Sequence, residues 1–391
     1  MTNTLPLDGV TGIVTVDLAQ IAANWRALAT LVAPAECAAV VKADAYGLGV
    51  AHVVPALVHA GCKTFFVATA TEAAEVRALD PDAVIYVLDG LVSGSGPELA
   101  EIGARPALAT LDDCLEWAAL CDARDRVMAA SLHVDTGLNR LGLSAADVTA
   151  LAADTSLFNR IHVSLVMSHL ACADQPEAVM NQSQLLAFEQ LRAALPAAPA
   201  SLAASDGLML GADYHFDLVR PGYAIYGGQP TFARNAPVKP AVRVQARVLQ
   251  VRDVAAGETV GYSATWKAKR PTRVATIAAG YADGTARTSS GHSAPEGGWT
   301  GGSRGYLPMG GFVGVGGKFA PIIGRVSMDL ITVDVMDLGE TALKRGDFVD
   351  LIGPGLTLEQ VGIHALTIGY EILTRLPRRF LRRYLPVTAH D

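Results

Sequence analysis

The 391-residue chain carries 31 Lys+Arg against 38 Asp+Glu, a net charge of −7 with only 18% charged residues, so no basic excess invites nucleic acid as a partner. At roughly 100–200 residues per domain, the length implies two domains or one large barrel with an appendage, which needs no disulfide or metal staple. With 51% hydrophobic but only 6% aromatic residues, the apolar content is mostly small and aliphatic, as in an α/β chain and unlike a disordered one.

In the first half, short apolar or β-branched runs alternate with longer Ala-rich amphipathic stretches, the pattern of parallel strands joined by crossover helices. Strands are expected at 37–42, 64–68, 84–88, 106–110, 131–134, 162–167, 201–204 and 218–220, with helices such as 51–60, 71–79, 111–120 and 181–194 between most of them. Eight strands in that alternation predict an α/β fold, a (β/α)8 TIM-like barrel over residues 18–236. Gly, Pro and Asn cluster at 227–240, and a mainly-β domain is expected beyond them, at 237–391. Its strands are placed at 241–251, 273–278, 331–335 and 348–352, with 358–366 its only helix and the early run 12–17 returning to it as a further strand. The Gly-rich stretch 291–305 has neither GxGxxG nor GxxxxGK[ST] spacing and reads as a surface loop.

Cys37, Cys62, Cys114, Cys121 and Cys172 are odd in number and lack CxxC spacing. They suit core positions and not a disulfide framework or a zinc site, and no metal is expected. The first residues have no basic segment followed by an apolar core, and no apolar run reaches about 18 residues. A cytoplasmic setting without a membrane is therefore expected.

The first barrel strand runs out into Val40-Val-Lys42-Ala-Asp-Ala-Tyr46-Gly-Leu-Gly49. Active sites of such barrels gather at the C-terminal ends of the strands, and a lysine there can be desolvated enough to form an imine. The segment resembles the pyridoxal-phosphate lysine signature of the alanine racemase family of fold-type III enzymes. Further motifs of that family recur in the same order from about residue 13 to residue 384.

The resemblance implies pyridoxal 5'-phosphate held by Lys42. In His133-Val-Asp-Thr-Gly-Leu-Asn-Arg140 it implies that Arg140 contacts the substrate carboxylate and the cofactor's phenolic oxygen. In Ser168-His169-Leu-Ala it implies that His169 supports the cofactor ring. The phosphate ligands carry over to Tyr46, Ser205, the backbone of Gly222 and Tyr223, and Tyr370. Arg220 matches the arginine facing the pyridine nitrogen, which only donates hydrogen bonds and so keeps the ring a moderate electron sink.

Val260-Gly-Tyr262, Ala279-Gly-Tyr281-Ala-Asp-Gly and Gly324-Arg-Val-Ser-Met328-Asp329 resemble segments that reach into the opposite subunit's site. Tyr262 then matches the second catalytic base, with Tyr281, Met328 and Asp329 on the substrate side. Lys42 would handle the proton on the D side and Tyr262 that on the L side of alanine, which makes the active unit a homodimer with shared sites. Ionisation of Tyr262 needs positive neighbours, for which Arg140 or a hydrogen-bonded His169–Arg220 pair is the candidate. The implied role is to supply D-alanine for peptidoglycan or to catabolise it. The alternatives are a broad-specificity or serine racemase of the same fold, a pyridoxal-phosphate decarboxylase, or a non-catalytic protein carrying the cofactor.

The sequence departs from the family's pattern at His133, where most members have a lysine that is often carbamylated and that supports the arginine matching Arg140. Ala204 replaces a frequent asparagine before Ser205, and 291–305 is longer than usual.

Overall fold

The computed structural model describes residues 8–230, 236–291, 310–339 and 343–387. Two compact units emerge, one of residues 18–239 with 387–391, the other of residues 1–17 and 240–386. The chain opens with strand β1 (Gly12–Asp17), which belongs to the second unit, and enters the first through the helix Leu18–Val32. That helix buries Ile21, Trp25, Leu28 and Val32, one stripe at helical spacing.

In the first unit, β2 (Glu36–Cys37) and β3 (Ala39–Val40) are two halves of the first barrel strand. After them come β4 (Thr64–Val67), β5 (Val84–Val87), β6 (Arg105–Leu108), β7 (Met128–His133), β8 (Ile161–Met167) and β9 (Ala200–Ser201), each parallel to the next from β3 onward. The eighth strand, β10 (Leu218–Val219), pairs in parallel with β2, while Asp217 and Arg220 donate backbone N–H groups to the Ala200 and Ala203 carbonyls. The hydrogen bonds thus close the ring, as the eight-strand alternation predicts. All four residues of β4 are buried, which is why the strands read as continuous apolar runs without alternation.

Several strands end earlier than the apolar runs suggest. Lys42 and Thr110 lie beyond the last ladder residues, where the chain already turns toward the next helix, and Val134 and Arg220 keep only single bridges, to Leu143 and Ala204. Thr110 is one such case: its hydroxyl accepts the Asp113 N–H at 3.0 Å and starts the helix Leu111–Ala123 as a capping box. Thr69 with Glu72, and Ser144 with Asp147, start Ala70–Leu79 and Ala145–Ala153 in the same way.

The second unit is mainly β, as expected. Its strands are β11 (Val242–Val254), β12 (Thr259–Val260), β13 (Trp266–Lys267), β14 (Thr272–Ile277), β15 (Phe312–Val315), β16 (Lys318–Ile323), β17 (Ile331–Asp334), β18 (Phe348–Ile352) and β19 (Leu381–Leu385). Antiparallel pairings run β11–β14–β17–β16–β15–β18 and return to β11, so six strands close on themselves. The long β11 allows this: it pairs with β1 and β18 through 242–247 and with β14 through 248–254. β1 lies antiparallel to β11 and β19 parallel to β1.

The helix expected at 358–366 is Leu358–His364. It is not the only one: Gly369–Thr374 follows, and its six residues are too short to show a helical period in the sequence. Cys37, Cys62, Cys114 and Cys121 are buried, whereas Cys172 is partly exposed and not a core residue. Of the Gly-rich stretch, 292–305 lie outside the described residues. No helix among the described residues is long and apolar enough to cross a membrane.

Candidate active site

At the C-terminal end of the first barrel strand the backbone does something rare. Ala43, Asp44, Ala45 and Tyr46 all have φ between 52° and 57°, a left-handed helical turn of four non-glycine residues directly after Lys42. Each such residue costs roughly 1–2 kcal/mol, so the surroundings must hold the turn. Glu72 accepts the Ala43 N–H on one oxygen and the Ala68 N–H on the other, both at 2.7 Å. From the other side the Asp44 carboxylate accepts the Val50 N–H at 2.7 Å and caps the helix Val50–Ala60.

The turn buries Tyr46, whose ring centroid lies 5.1 Å from that of Tyr226. Burial pushes the Tyr46 phenol up to about 12, so it remains a neutral donor. Its hydroxyl meets the Gly222 loop: a Cβ built on Gly222 would stand 2.5 Å from the Tyr46 oxygen. Ser205 completes the cluster, its hydroxyl accepting the N–H groups of Gly222 at 3.1 Å and Ala224 at 3.2 Å. Tyr223, between them, is buried. Tyr46, Ser205, Gly222 and Tyr223 are therefore brought together at the barrel position where phosphate groups are commonly held. The cradle consists of neutral N–H and O–H donors and small residues, and it fits a phosphate group.

Beside it, Arg220 is 3% exposed and donates to the Ser201 hydroxyl at 2.5 Å and to the Ser168 carbonyl at 2.6 Å. Burial lowers its guanidinium to about 10, which leaves it charged at neutral pH. Among the described residues no hydrogen bond joins it to His169; its terminal nitrogens donate to Ser201 and to the Ser168 and Leu202 carbonyls, and its Nε–H is left for a ligand. The His169–Arg220 pair expected from the sequence is thus replaced by a backbone and serine cradle. His169 is held neutral, brought down to about 3 by burial and then by Arg220, Arg140, His133 and Lys42.

His133 behaves alike, lowered to about 4 by burial, then by Arg220 and Arg140. Its Nδ1 is buried without a hydrogen-bond partner. Arg140 is exposed, on a loop shaped by Asp135, whose carboxylate accepts the Gly137 and Asn139 N–H groups at 2.9 and 3.1 Å. Lys42, Arg140 and Arg220 make this mouth cationic, and the two neutral imidazoles add no charge. Such a site favours a ligand with phosphate and carboxylate groups.

Two further residues escape sequence reasoning here. Glu72 falls inside the helix expected at 71–79, and nothing in the sequence marks it as a support for the lysine turn. Gln184 is fully buried; its amide donates to Thr136 Oγ1 at 3.1 Å and to the His169 carbonyl at 2.9 Å, and accepts the Ala171 N–H at 2.8 Å. It ties the Arg140 loop to the His169 segment, and nothing in its amphipathic helix sets it apart.

In the second unit, Tyr262, Tyr281 and Met328 are 69, 43 and 54% exposed. The turn bearing Tyr262 packs on Gly324, where an added Cβ would stand 2.7 Å from the Val260 carbonyl oxygen. Arg325 donates to the Ser263 hydroxyl at 3.0 Å. Tyr281 and Ala282 donate N–H groups to the Ser327 and Met328 carbonyls at 3.0 and 2.9 Å. Three separated segments thus meet and present Tyr262, Tyr281, Met328 and Asp329 on their outer side. Tyr370 stands on the helix Gly369–Thr374.

Family models described as the N-terminal and C-terminal domains of alanine racemase match residues 16–230 and 241–384. The chain belongs to the alanine racemase family. An alanine racemase of Methylobacterium nodulans is 48% identical over 371 residues, 95% of each chain. One of Rhizobium meliloti is 45% identical over 372 residues, 95% of this chain and 96% of the other. Among solved structures, the alanine racemase of Bartonella henselae, which has covalently bound pyridoxal phosphate, is similar at a TM-score of 0.88 and 40% identity, over 96% of this chain and 99% of that one. The biosynthetic alanine racemase of Pseudomonas aeruginosa gives a TM-score of 0.85 at 36% identity over 96% and 100%.

Proposed function

We propose that this alanine racemase family member interconverts L- and D-alanine with pyridoxal 5'-phosphate, using Lys42 and Tyr262 of the partner subunit as the two proton-transfer groups. The observation that carries the reading is the cradle of Tyr46, Ser205 and Gly222 beside a lysine presented by a strained turn. When bound, pyridoxal phosphate supplies an electron sink for the pair left on the substrate's Cα.

The chain's own residues supply the rest. Tyr46, Ser205 and the backbone of Gly222 and Tyr223 hold the phosphate, with Tyr370 as a further ligand. Arg220, fixed by Ser201 and Ser168, faces the pyridine nitrogen as a donor that cannot accept. Arg140 takes the substrate carboxylate, and His169, being neutral, supports the ring without competing for that anion. Lys42 Nζ removes or returns the Cα proton on the D face, and the phenol of Tyr262 does so on the L face. Tyr281, Met328 and Asp329 line the substrate side.

Exposure of Tyr262, Tyr281 and Met328 supports a homodimer in which each copy completes the other's site. Five free cysteines suit a reducing, cytoplasmic compartment, where the reaction supplies or consumes D-alanine. The test is to mix Lys42→Ala and Tyr262→Phe chains, each inactive alone. Each heterodimer then holds one intact site and activity returns; no return of activity would overturn the shared site. Loss of optical rotation with L-alanine, set against L-serine and L-lysine, reads the substrate.

A further inference from the structure

Arg379 lies outside every motif that resembles the family's, in Arg378-Arg379-Phe380 just before β19. Its guanidinium contacts two carboxylates at once. Nε and one terminal nitrogen donate to the two oxygens of Asp283 at 2.9 and 2.7 Å, and the other terminal nitrogen donates to Asp329 Oδ1 at 2.7 Å. The Asp283 side chain is 2% exposed, and its Oδ2 also accepts the Gly280 N–H at 3.1 Å. A buried carboxylate with this many donors is rigidly oriented.

The two carboxylates anchor different segments. Asp283 closes the turn Tyr281–Asp283, and Asp329 directly follows Met328. The segments already approach closely: a Cβ on Gly280 would stand 2.2 Å from the Met328 carbonyl oxygen. Within the protomer the Tyr281 and Met328 side chains are 43 and 54% exposed, so packing against their own chain fixes them only in part. Whatever fixes the two backbones sets where both side chains stand. A planar guanidinium spans both carboxylates, whereas a lysine ammonium is a single point charge on a flexible stem.

We propose that Arg379 is a positioning residue for the substrate side of the site: by clamping Asp283 and Asp329 it fixes the spacing of Tyr281 and Met328, and with it the room left for the substrate's side chain. The inference rests on the reading of Tyr281 and Met328 as substrate-lining. Loosening the clamp therefore acts first on substrate fit, while Lys42 and the phosphate cradle stand on other segments of the chain.

The test compares Arg379→Lys, which keeps a cation beside buried Asp283, with Arg379→Gln, both as holoenzyme. Expected for Arg379→Gln is a KM for L-alanine raised about tenfold with kcat changed less, and for Arg379→Lys about threefold. The serine-to-alanine ratio of kcat/KM rises in both, and the cofactor absorbance band stays in place. Unchanged KM and ratio, or KM, kcat and band falling together with the folded fraction, would overturn the proposal. A readout free of activity accompanies these: amide hydrogen exchange at 280–283 and 327–329 becomes about tenfold faster in Arg379→Gln. Unchanged exchange overturns the clamp even if the enzyme is active. A wild-type enzyme with no racemase activity but a faster-exchanging variant overturns the substrate reading instead.

Discussion

The Tyr46 hydroxyl stands 2.5 Å from the place a Cβ on Gly222 would occupy. This is a close approach within the proposed phosphate cradle. With Ser205 fixed by the Gly222 and Ala224 N–H groups, the loop has little freedom to retreat. Gly222→Ala therefore displaces the tyrosine or the loop. Cofactor affinity should fall about tenfold or more, a loss of about 1.4 kcal/mol per factor of ten, when the apo protein is titrated with pyridoxal phosphate and followed by absorbance. An unchanged Kd would mean that Gly222 is not part of the cradle.

The left-handed turn after Lys42 rests on Glu72, whose two oxygens accept the Ala43 and Ala68 N–H groups. In Glu72→Gln one oxygen becomes an NH2 facing an N–H, so one backbone donor loses its acceptor. That costs about 1–3 kcal/mol, borne by a turn that is already strained. Urea unfolding should show a lower midpoint, and bound cofactor should be released faster on dilution. Equal midpoints would place the support of the turn elsewhere.

The eight-strand alternation was legible because the barrel strands are largely buried on both faces and so read as short apolar runs, as Thr64–Val67 does. The candidate site residues stand out through motifs, most of them where a strand gives way to a loop, with Tyr370 instead on the helix Gly369–Thr374. The left-handed turn was not: its residues, Ala43, Asp44, Ala45 and Tyr46, carry no glycine to announce a positive φ, and the contacts that pay its strain come from Glu72 and Val50. Gln184 and Arg379 were hidden for a related reason. Each acts through partners distant in sequence, Gln184 by 48 residues to Thr136 and Arg379 by 96 to Asp283. The helix Gly369–Thr374 was missed because six residues are less than two turns.

Gln184 is 0% exposed and serves three polar groups on two loops. Gln184→Leu keeps the volume but leaves the Ala171 N–H and the His169 carbonyl without partners. The expected loss is about 1–3 kcal/mol of unfolding free energy, because the two orphaned groups are only partly shielded from water. The Arg140 loop should also exchange its amides faster, since the Thr136 link to Ser168 loses its third member. Denaturant unfolding and hydrogen exchange on the same sample check both, and a loss of stability without any change in exchange at 135–140 would show that the two loops are not coupled through this amide.

His133 sets a pH dependence whose direction follows from its burial. Unfolded, an imidazole titrates near 6.5; folded, burial first and then Arg220 and Arg140 hold His133 at about 4. Between these values the unfolded chain binds a proton that the folded chain does not, so stability is full above about 6.5 and is lost as pH falls toward 4. His169, held at about 3, acts in the same direction. At about 1.4 kcal/mol per pH unit, His133 alone should remove roughly 2–3 kcal/mol between pH 6.5 and 4.5. His133→Gln, which cannot take up that proton, should lose stability less steeply over the same range. Urea midpoints measured for both proteins from pH 7 to 4.5 test this: the curves should converge or cross as pH falls, and parallel curves would mean that folded and unfolded His133 take up their proton at the same pH.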